Sequence, residues 1–231
     1  LKITTKLLAA AFVLFGAHIQ TVKAENIKAF AATSVYFEQN ATDGDGEVVL
    51  KVNGGDEGMS KLKVVSPDGR TVIDFTASDA STLGIRQFVF ESPEPEDIEG
   101  LKMAYKEGVY TFTGITSSGD KLHGKAELSH KLPNTVSFIQ PKANAHDVIV
   151  EDLIINWTSV RNVSAYIIKI DQEDLDVNLE AKLSGTSTSF AVPNGFLRLG
   201  TEYKLGIGTV KEDGNASFIE TTFKTAGSSK S

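Results

Sequence analysis

Three aromatic residues set among alternating apolar ones constrain this chain more than any other feature. In Leu153-Ile-Ile-Asn-Trp157, the side chains of Leu153, Ile155 and Trp157 fall on one face of an extended segment. Tyr166, Ile168 and Ile170 repeat the pattern a few residues later. A period of two marks a strand with one buried face. Further on, Leu197-Arg-Leu-Gly-Thr201-Glu-Tyr203 spaces Leu, Leu, Thr and Tyr evenly, and Leu205 and Ile207 continue the face of Tyr203. A Trp ending one strand and a Tyr entering a later one predict two packed sheets around an aromatic layer. The second Tyr is placed to form a tyrosine corner, its hydroxyl bonded to backbone a few residues upstream.

The rest of the chain reads the same way. Short alternating runs separated by Gly, Asp, Ser and Pro recur about every ten residues, as in sandwiches and barrels. Val48, Leu50 and Val52 share a face in Glu47-Val-Val-Leu-Lys-Val52. Ser66-Pro-Asp-Gly-Arg70 separates two such runs and predicts a hairpin, because Pro presets φ and Gly accepts the left-handed position. One segment breaks the pattern. Ser92-Pro-Glu-Pro-Glu-Asp predicts a short helix within residues 92–105, with Ser92 as N-cap and Pro93 as its first residue, acting as a connector or cap. Pro133 cannot continue a ladder, so the boundary between two units is expected beside it. The expected organisation is a leader at 1–24, an N-terminal sandwich-like unit at 25–131, a second sandwich at 132–226 and a disordered polar tail at 227–231.

The second unit resembles a fibronectin type III domain. Trp157 stands where that family's strand B ends, Tyr166 opens strand C, and Leu197-x-Leu-x-Thr201-x-Tyr203 matches the approach to strand F, with Leu199 where Pro is usual. Lys211-Glu-Asp-Gly-Asn215 supplies the F–G turn, with no Arg-Gly-Asp in it. The fold class implied is all-β, two immunoglobulin-like sandwiches, the C-terminal one of fibronectin type III kind. The resemblance implies spacer, adhesion or accessory roles rather than a particular activity. As a whole, the chain resembles a family of exported bacterial proteins carrying such a domain. That likeness implies export and the order of the units.

Lys2 and Lys6 before the apolar run Leu7-Leu-Ala-Ala-Ala-Phe-Val-Leu-Phe15, with Val22-x-Ala24 following, predict a signal peptide cut after Ala24. The run is well short of the roughly 20 residues that span a bilayer, and no membrane span is expected in the mature chain. The destination is periplasmic or extracellular. Losing Lys2, Lys6 and Lys23 takes the net charge from −7 to −10. An acidic chain without a basic run argues against nucleic acid and anionic membranes as partners. The chain has no Cys, so disulfide staples and thiolate chemistry are excluded.

Candidate chemistry is sparse. Asp43-Gly-Asp-Gly-Glu47 places Asp43, Asp45 and Glu47 as candidate Ca²⁺ ligands in a Gly-rich loop, with Asp56 and Glu57 as further ligands if the fold brings them across. The competing reading is a plain hairpin turn, which Asp-Gly favours. Asp171-Gln-Glu-Asp-Leu-Asp176 reads as a solvated C–C′ connection. His123 and His130, an odd number of residues apart on one expected strand, point to opposite faces, and His146 stands beside Asp147 in a loop. No Gly-x-Ser-x-Gly elbow is present, and no catalytic, cofactor-binding or metal role is assigned to a residue. Gly206 and Gly208 leave the outer face of strand F bare, and this face is expected to pack against the N-terminal unit. The expected function is an exported, non-catalytic binding or structural protein of the cell envelope contacting protein or glycan. The alternatives are a calcium-stabilised extracellular module and an accessory protein of a polysaccharide-acting enzyme system.

Overall fold

The computed structural model describes residues 27–77 and 84–228. The expected leader, residues 1–24, and the last three residues of the expected tail lie outside them. The first half contains β1 (Ile27–Ala29), β2 (Ala32–Asn40), β3 (Gly46–Asn53), β4 (Met59–Val65), β5 (Thr71–Thr76), β6 (Gln87–Glu91), β7 (Gly108–Thr116) and β8 (Lys121–Leu128). A helix, α1 (Ile98–Ala104), separates β6 from β7. The second half contains β9 (Phe138–Gln140), β10 (Ala145–Val148), β11 (Ile154–Trp157), β12 (Ala165–Gln172), β13 (Val177–Ser184), β14 (Ser189–Ala191), β15 (Glu202–Val210) and β16 (Ala216–Thr225).

These strands form three sheets around two cores. One sheet runs β1-β8-β7-β4-β5, a second β14-β11-β9, and the third β13-β12-β15-β16-β2-β3-β6, with β10 added on β16. The third sheet faces both cores. Its β2-β3-β6 end packs Val35, Phe37, Val48 and Leu50 against Leu62, Tyr110 and Phe112 of the five-stranded sheet. Its other end packs Tyr166, Ile168, Tyr203 and Leu205 against Ile155 and Trp157 of the three-stranded sheet. The chain passes from the five-stranded sheet to the third sheet at Phe30 and Ala31, whose N–H groups bond His123 O (3.3 Å) and Asn53 O (2.9 Å). Both halves are sandwiches, as the alternation required.

The second sandwich has the strand order expected of its aromatic pattern. Strands β9, β11 and β14 are A, B and E, and β13, β12, β15 and β16 are C′, C, F and G. The tyrosine corner is formed: the Arg198 N–H donates to the hydroxyl of Tyr203 at 2.9 Å. The Tyr203 ring stacks on Phe223 with centroids 5.7 Å apart, and Trp157 meets Tyr166 at 5.5 Å. Leu199, in the place of the usual Pro, is exposed, while Leu197 is buried. The connection from β12 to β13 is a solvated turn through Glu173–Leu175, with Asp176 in the left-handed region at φ 49°.

Three local expectations need correction. The helix begins at Ile98, capped by the side chain of Asp97, which accepts from Gly100 N at 2.9 Å. Ser92 is buried instead at the end of β6, where its hydroxyl accepts from Val48 N at 3.0 Å and so continues the sheet. Two prolines, Pro93 and Pro95, then hold the backbone out of the helical region of the residues before them. The helix does cap the sandwich, with Leu101 buried and Ile98 against the first core. His130 lies beyond β8, its ring edge-on to Phe37 at 5.6 Å and its Nε2 2.7 Å from Tyr105 O, so it shares no strand with His123. The third correction concerns how the sandwiches meet.

They meet edge to edge. Ala216, Ser217 and Phe218 of β16 pair in parallel with Glu38, Gln39 and Asn40 of β2, while the far end of the same edge takes β10. The bare face at Gly206 and Gly208 is filled from within its own sheet. A Cβ on Gly208 would stand 2.4 Å from the Phe218 ring, and Lys169 Nζ lies over that ring, 5.0 Å from its centroid. The side chain missing at Gly208 makes room for Phe218, not for the N-terminal sandwich.

Candidate functional site at the junction of the sandwiches

The F–G turn is the joint. Asn215, at its end, is 1% exposed, and each side-chain atom crosses to the first half. Its Oδ1 accepts from Phe37 N at 2.9 Å, and its Nδ2 donates to Ser129 O at 2.8 Å and Lys131 O at 3.3 Å. The turn is built for this. Asp213 accepts from Asn215 N at 3.1 Å, and Gly214, at φ +94°, lies where a Cβ would come within 3.1 Å of Tyr36. An Asn that satisfies backbone groups of two segments, 178 and 86 residues away, is a lock, because removing it orphans buried donors and acceptors. The turn signal was legible in the sequence. Its use as the joint was not, because the partners lie in the other half of the chain.

Above this joint, the outer face of the shared sheet opens into a cleft of about 220 Å³. Glu38, Asp43, Glu47 and Glu94 line it from the first half, and Lys169, Lys204, Phe218 and Glu220 from the second. Its centre is Asn40, whose Nδ2 donates to Asp43 at 2.9 Å and to Glu220 at 3.0 Å. Lys204 pairs with the same Glu220 carboxylate at 2.6 Å, which raises the lysine pKa. Thr42 bonds the Glu220 backbone in both directions, accepting from its N–H at 2.7 Å and donating to its carbonyl at 3.4 Å. The β2–β3 turn is thus pinned onto β16.

The opposite wall is less settled. Register places Glu38 directly across from Glu47, with Glu91 and Glu94 near enough to add their charge. Burial first, and then repulsion from Glu38, Glu91 and Glu94, pushes the Glu47 carboxyl up to about 7. Glu38 is raised too, chiefly by burial, with Lys169 and Lys51 pulling the other way. Near neutral pH this wall therefore carries less negative charge than its sequence implies, and its proton content changes with small shifts in pH.

The candidate Ca²⁺ residues fall on this cleft, but do not gather round one point. Asp43 is held by Asn40, and Asp45 gives its backbone carbonyl to Asn40 N at 3.1 Å, in a turn with Gly44 at φ +85°. Asp56 pairs with Arg86 at 3.0 Å, and Glu57 with Lys28 at 3.3 Å and Ser118 at 2.6 Å, away from that turn. Among the described residues, no three carboxylate or imidazole groups converge as a metal site. His146, on β10, is exposed and apart from the cleft.

No protein-family model and no curated protein matches this chain. Solved structures similar to it are built from fibronectin type III domains. One is the chicken CNTN1 FN1-FN3 domains, 11% identical over 87% of this chain and 68% of that one, with a TM-score of 0.36. Another is the fibronectin(III)-like modules of Clostridium thermocellum CbhA, 13% identical over 85% of this chain and 91% of that one, also at 0.36. A two-domain segment of chicken tenascin is 16% identical over 84% of this chain and 98% of that one, at 0.32. The fold assignment itself stands on the strand order and the tyrosine corner. Among the described residues, no helix is long and apolar enough to cross a membrane.

Proposed function

We propose that this chain is an exported, non-catalytic binding or structural module of the cell envelope, which presents the cleft-bearing face of its shared sheet to a protein or glycan partner. One observation carries this reading: a single sheet passes through both sandwiches and is locked by Asn215, so the cleft is assembled from both halves in fixed register. A preassembled site loses less freedom on binding than one made by two loosely linked domains. The polar groups of the cleft are spent on one another, Asn40 on Asp43 and Glu220, and Lys204 on Glu220, which suits a recognition surface better than a reaction centre. The leader-like pattern of residues 1–24 suits export, and the absence of Cys fits a bacterial envelope better than an animal extracellular setting. The test is a photo-reactive amino acid at Glu94, exposed on the cleft wall, in cells or envelope extracts. One discrete cross-linked species, lost when Lys204→Glu is added, supports the reading. Cross-linking no greater than at an unrelated surface position removes the binding role and leaves a spacer.

The calcium-stabilised reading has one observation in favour: beside burial, which is the larger cause, repulsion from Glu38, Glu91 and Glu94 lifts Glu47, and a cation would relieve that repulsion. A melting temperature that rises with Ca²⁺ and falls with chelator would support it, and an unmoved one would remove it.

A further inference from the structure

The five-stranded sheet turns its outer face away from the cleft, and that face has the opposite charge. Alternation makes it so. On β4 the outward residues include Lys61 and Lys63, and on β8 they are Lys121, His123, Lys125 and, at the far end, Glu127. Between these strands runs β7, whose outward residues Thr111, Thr113 and Ile115 are uncharged. Register aligns the three strands in rows: Lys61 with Ile115 and Lys121, Lys63 with Thr113 and His123, and Thr111 with Lys125. The result is a neutral floor along β7 between two lysine walls, one strand spacing to each side and so about 10 Å apart across the floor. A groove of about 380 Å³ lies over the Thr113–Ile115 end of this floor, between Lys61 and Lys63 on one side and Lys121 and His123 on the other, and the face continues past it to Thr111 and Lys125. Among the described residues, Lys61, Lys63 and Lys125 form no ion pair. Asp74, opposite Lys63, is the acid that reaches the groove. A charge run in the sequence would have betrayed such a surface, but here each lysine is separated from the next by an inward residue.

We propose that this groove binds a single chain of an anionic polysaccharide, laid along β7 with its acidic groups between the lysine walls and its hydroxyls on Thr111 and Thr113. Charge complementarity is the basis. The chain is acidic overall, at −7, yet charges beyond about 8 Å are screened at physiological ionic strength, so a ligand in the groove meets the local lysines. The shape selects among polyanions. A planar membrane surface would touch lysine tips and leave the floor empty. Single-stranded nucleic acid adds stacking on successive aromatic rings to its charge pairing, and the floor of threonines and isoleucine offers no ring, leaving His123 on one wall. The groove lies on the sheet that β2 and β16 do not enter, so its failure would leave the cleft reading untouched.

The test uses the full chain and polygalacturonate as the polyanion, with neutral dextran as control, followed by titration against salt. Binding to polygalacturonate that weakens at least tenfold between low salt and physiological salt, with none to dextran, is the expected result. The combined Lys61→Gln, Lys63→Gln, Lys125→Gln variant should lose at least tenfold more. These side chains are exposed, so an unchanged thermal melt is expected to show that the fold is kept. Glu94→Gln, in the cleft, should bind like the parent chain. No retention at low salt, or equal binding by the triple variant, would overturn the proposal. Binding to phosphatidylglycerol vesicles or to single-stranded DNA in place of polygalacturonate would overturn it in favour of that ligand. Concentration-dependent self-association that the triple variant abolishes, without polysaccharide binding, would mean that the groove receives the acidic face of a second copy.

Discussion

The two sandwiches solve the same packing problem with their rings arranged differently. The second is held by aromatic rings in fixed relation: Trp157 against Tyr166, Tyr203 against Phe223, and the Tyr203 hydroxyl on Arg198 N. The first buries as many rings, Phe30, Phe37, Tyr110 and Phe112, but among the described residues these make no contact with one another of that kind; they sit among Val35, Val48, Leu50, Leu62 and Val64, with α1 closing one end. Aromatic pairs constrain angle and distance, whereas aliphatic side chains need only fill volume. That is why one half carries a recognisable pattern and the other only alternation. The first sandwich also depends on its neighbour, since β2 has β16 on its far side and Asn215 on its backbone.

This contrast can be broken at its strongest point first. Trp157→Ala should destabilise the second sandwich by about 3–5 kcal/mol, the usual cost of emptying a large buried site. Trp157→Phe should cost clearly less, because the indole Nε1 has no partner in the core and its removal relieves an unsatisfied donor. Chemical denaturation followed by circular dichroism measures both. If the two variants are equally costly, packing alone decides the site.

Coupling between the halves comes next. Asn215→Ala should cost about 2–3 kcal/mol by leaving Phe37 N and Ser129 O buried without their partner. It should also split one cooperative thermal transition into two. A single transition at the parent width would mean that the β2–β16 pairing couples the sandwiches without the lock. The same burial means that Asn215, although part of an Asn-Ala-Ser triplet, should stay unmodified in a glycosylating host, which mass spectrometry reads directly.

Removal of the corner hydroxyl is smaller. Tyr203→Phe should cost about 1 kcal/mol, one neutral hydrogen bond to backbone, with the Phe223 stacking kept. Smallest is the pH effect. Glu47 holds its proton to about 7 in the folded chain and releases it near the ordinary carboxylate value when unfolded. Between those values the folded state binds more protons, so stability falls as pH rises from about 4.5 to about 7. Glu47→Gln should flatten that slope and raise stability above pH 7 by no more than ~1 kcal/mol, since the group is partly open to solvent. An unchanged slope in the variant would place the proton elsewhere in the cleft.

Much of this fold was legible from residues alone. The tyrosine corner, the hairpin at Ser66–Arg70 and the C–C′ turn each depend on neighbours close in the chain, and local chemistry sufficed to find them. The helix was found but displaced: Ser92 and Pro93 make a good helix start in isolation, yet the unpaired Val48 N–H claims the Ser92 hydroxyl. The cleft was legible only as an acidic turn. Half its walls come from residues more than a hundred positions away, and nothing in Asp43-Gly-Asp-Gly-Glu47 announces Lys204 or Glu220.

The sequence by itself determined that this chain makes two-sheet sandwiches and which faces of its strands are buried, because a period of two and the turn residues act within a few positions. Tertiary structure alone decided that the sandwiches share a sheet through Asn215, that Gly208 serves Phe218, and that separate lysines line one groove. Those outcomes depend on which strand edges and faces meet. That choice is made by long-range packing and by the need to satisfy buried backbone groups, on which a local pattern has no hold.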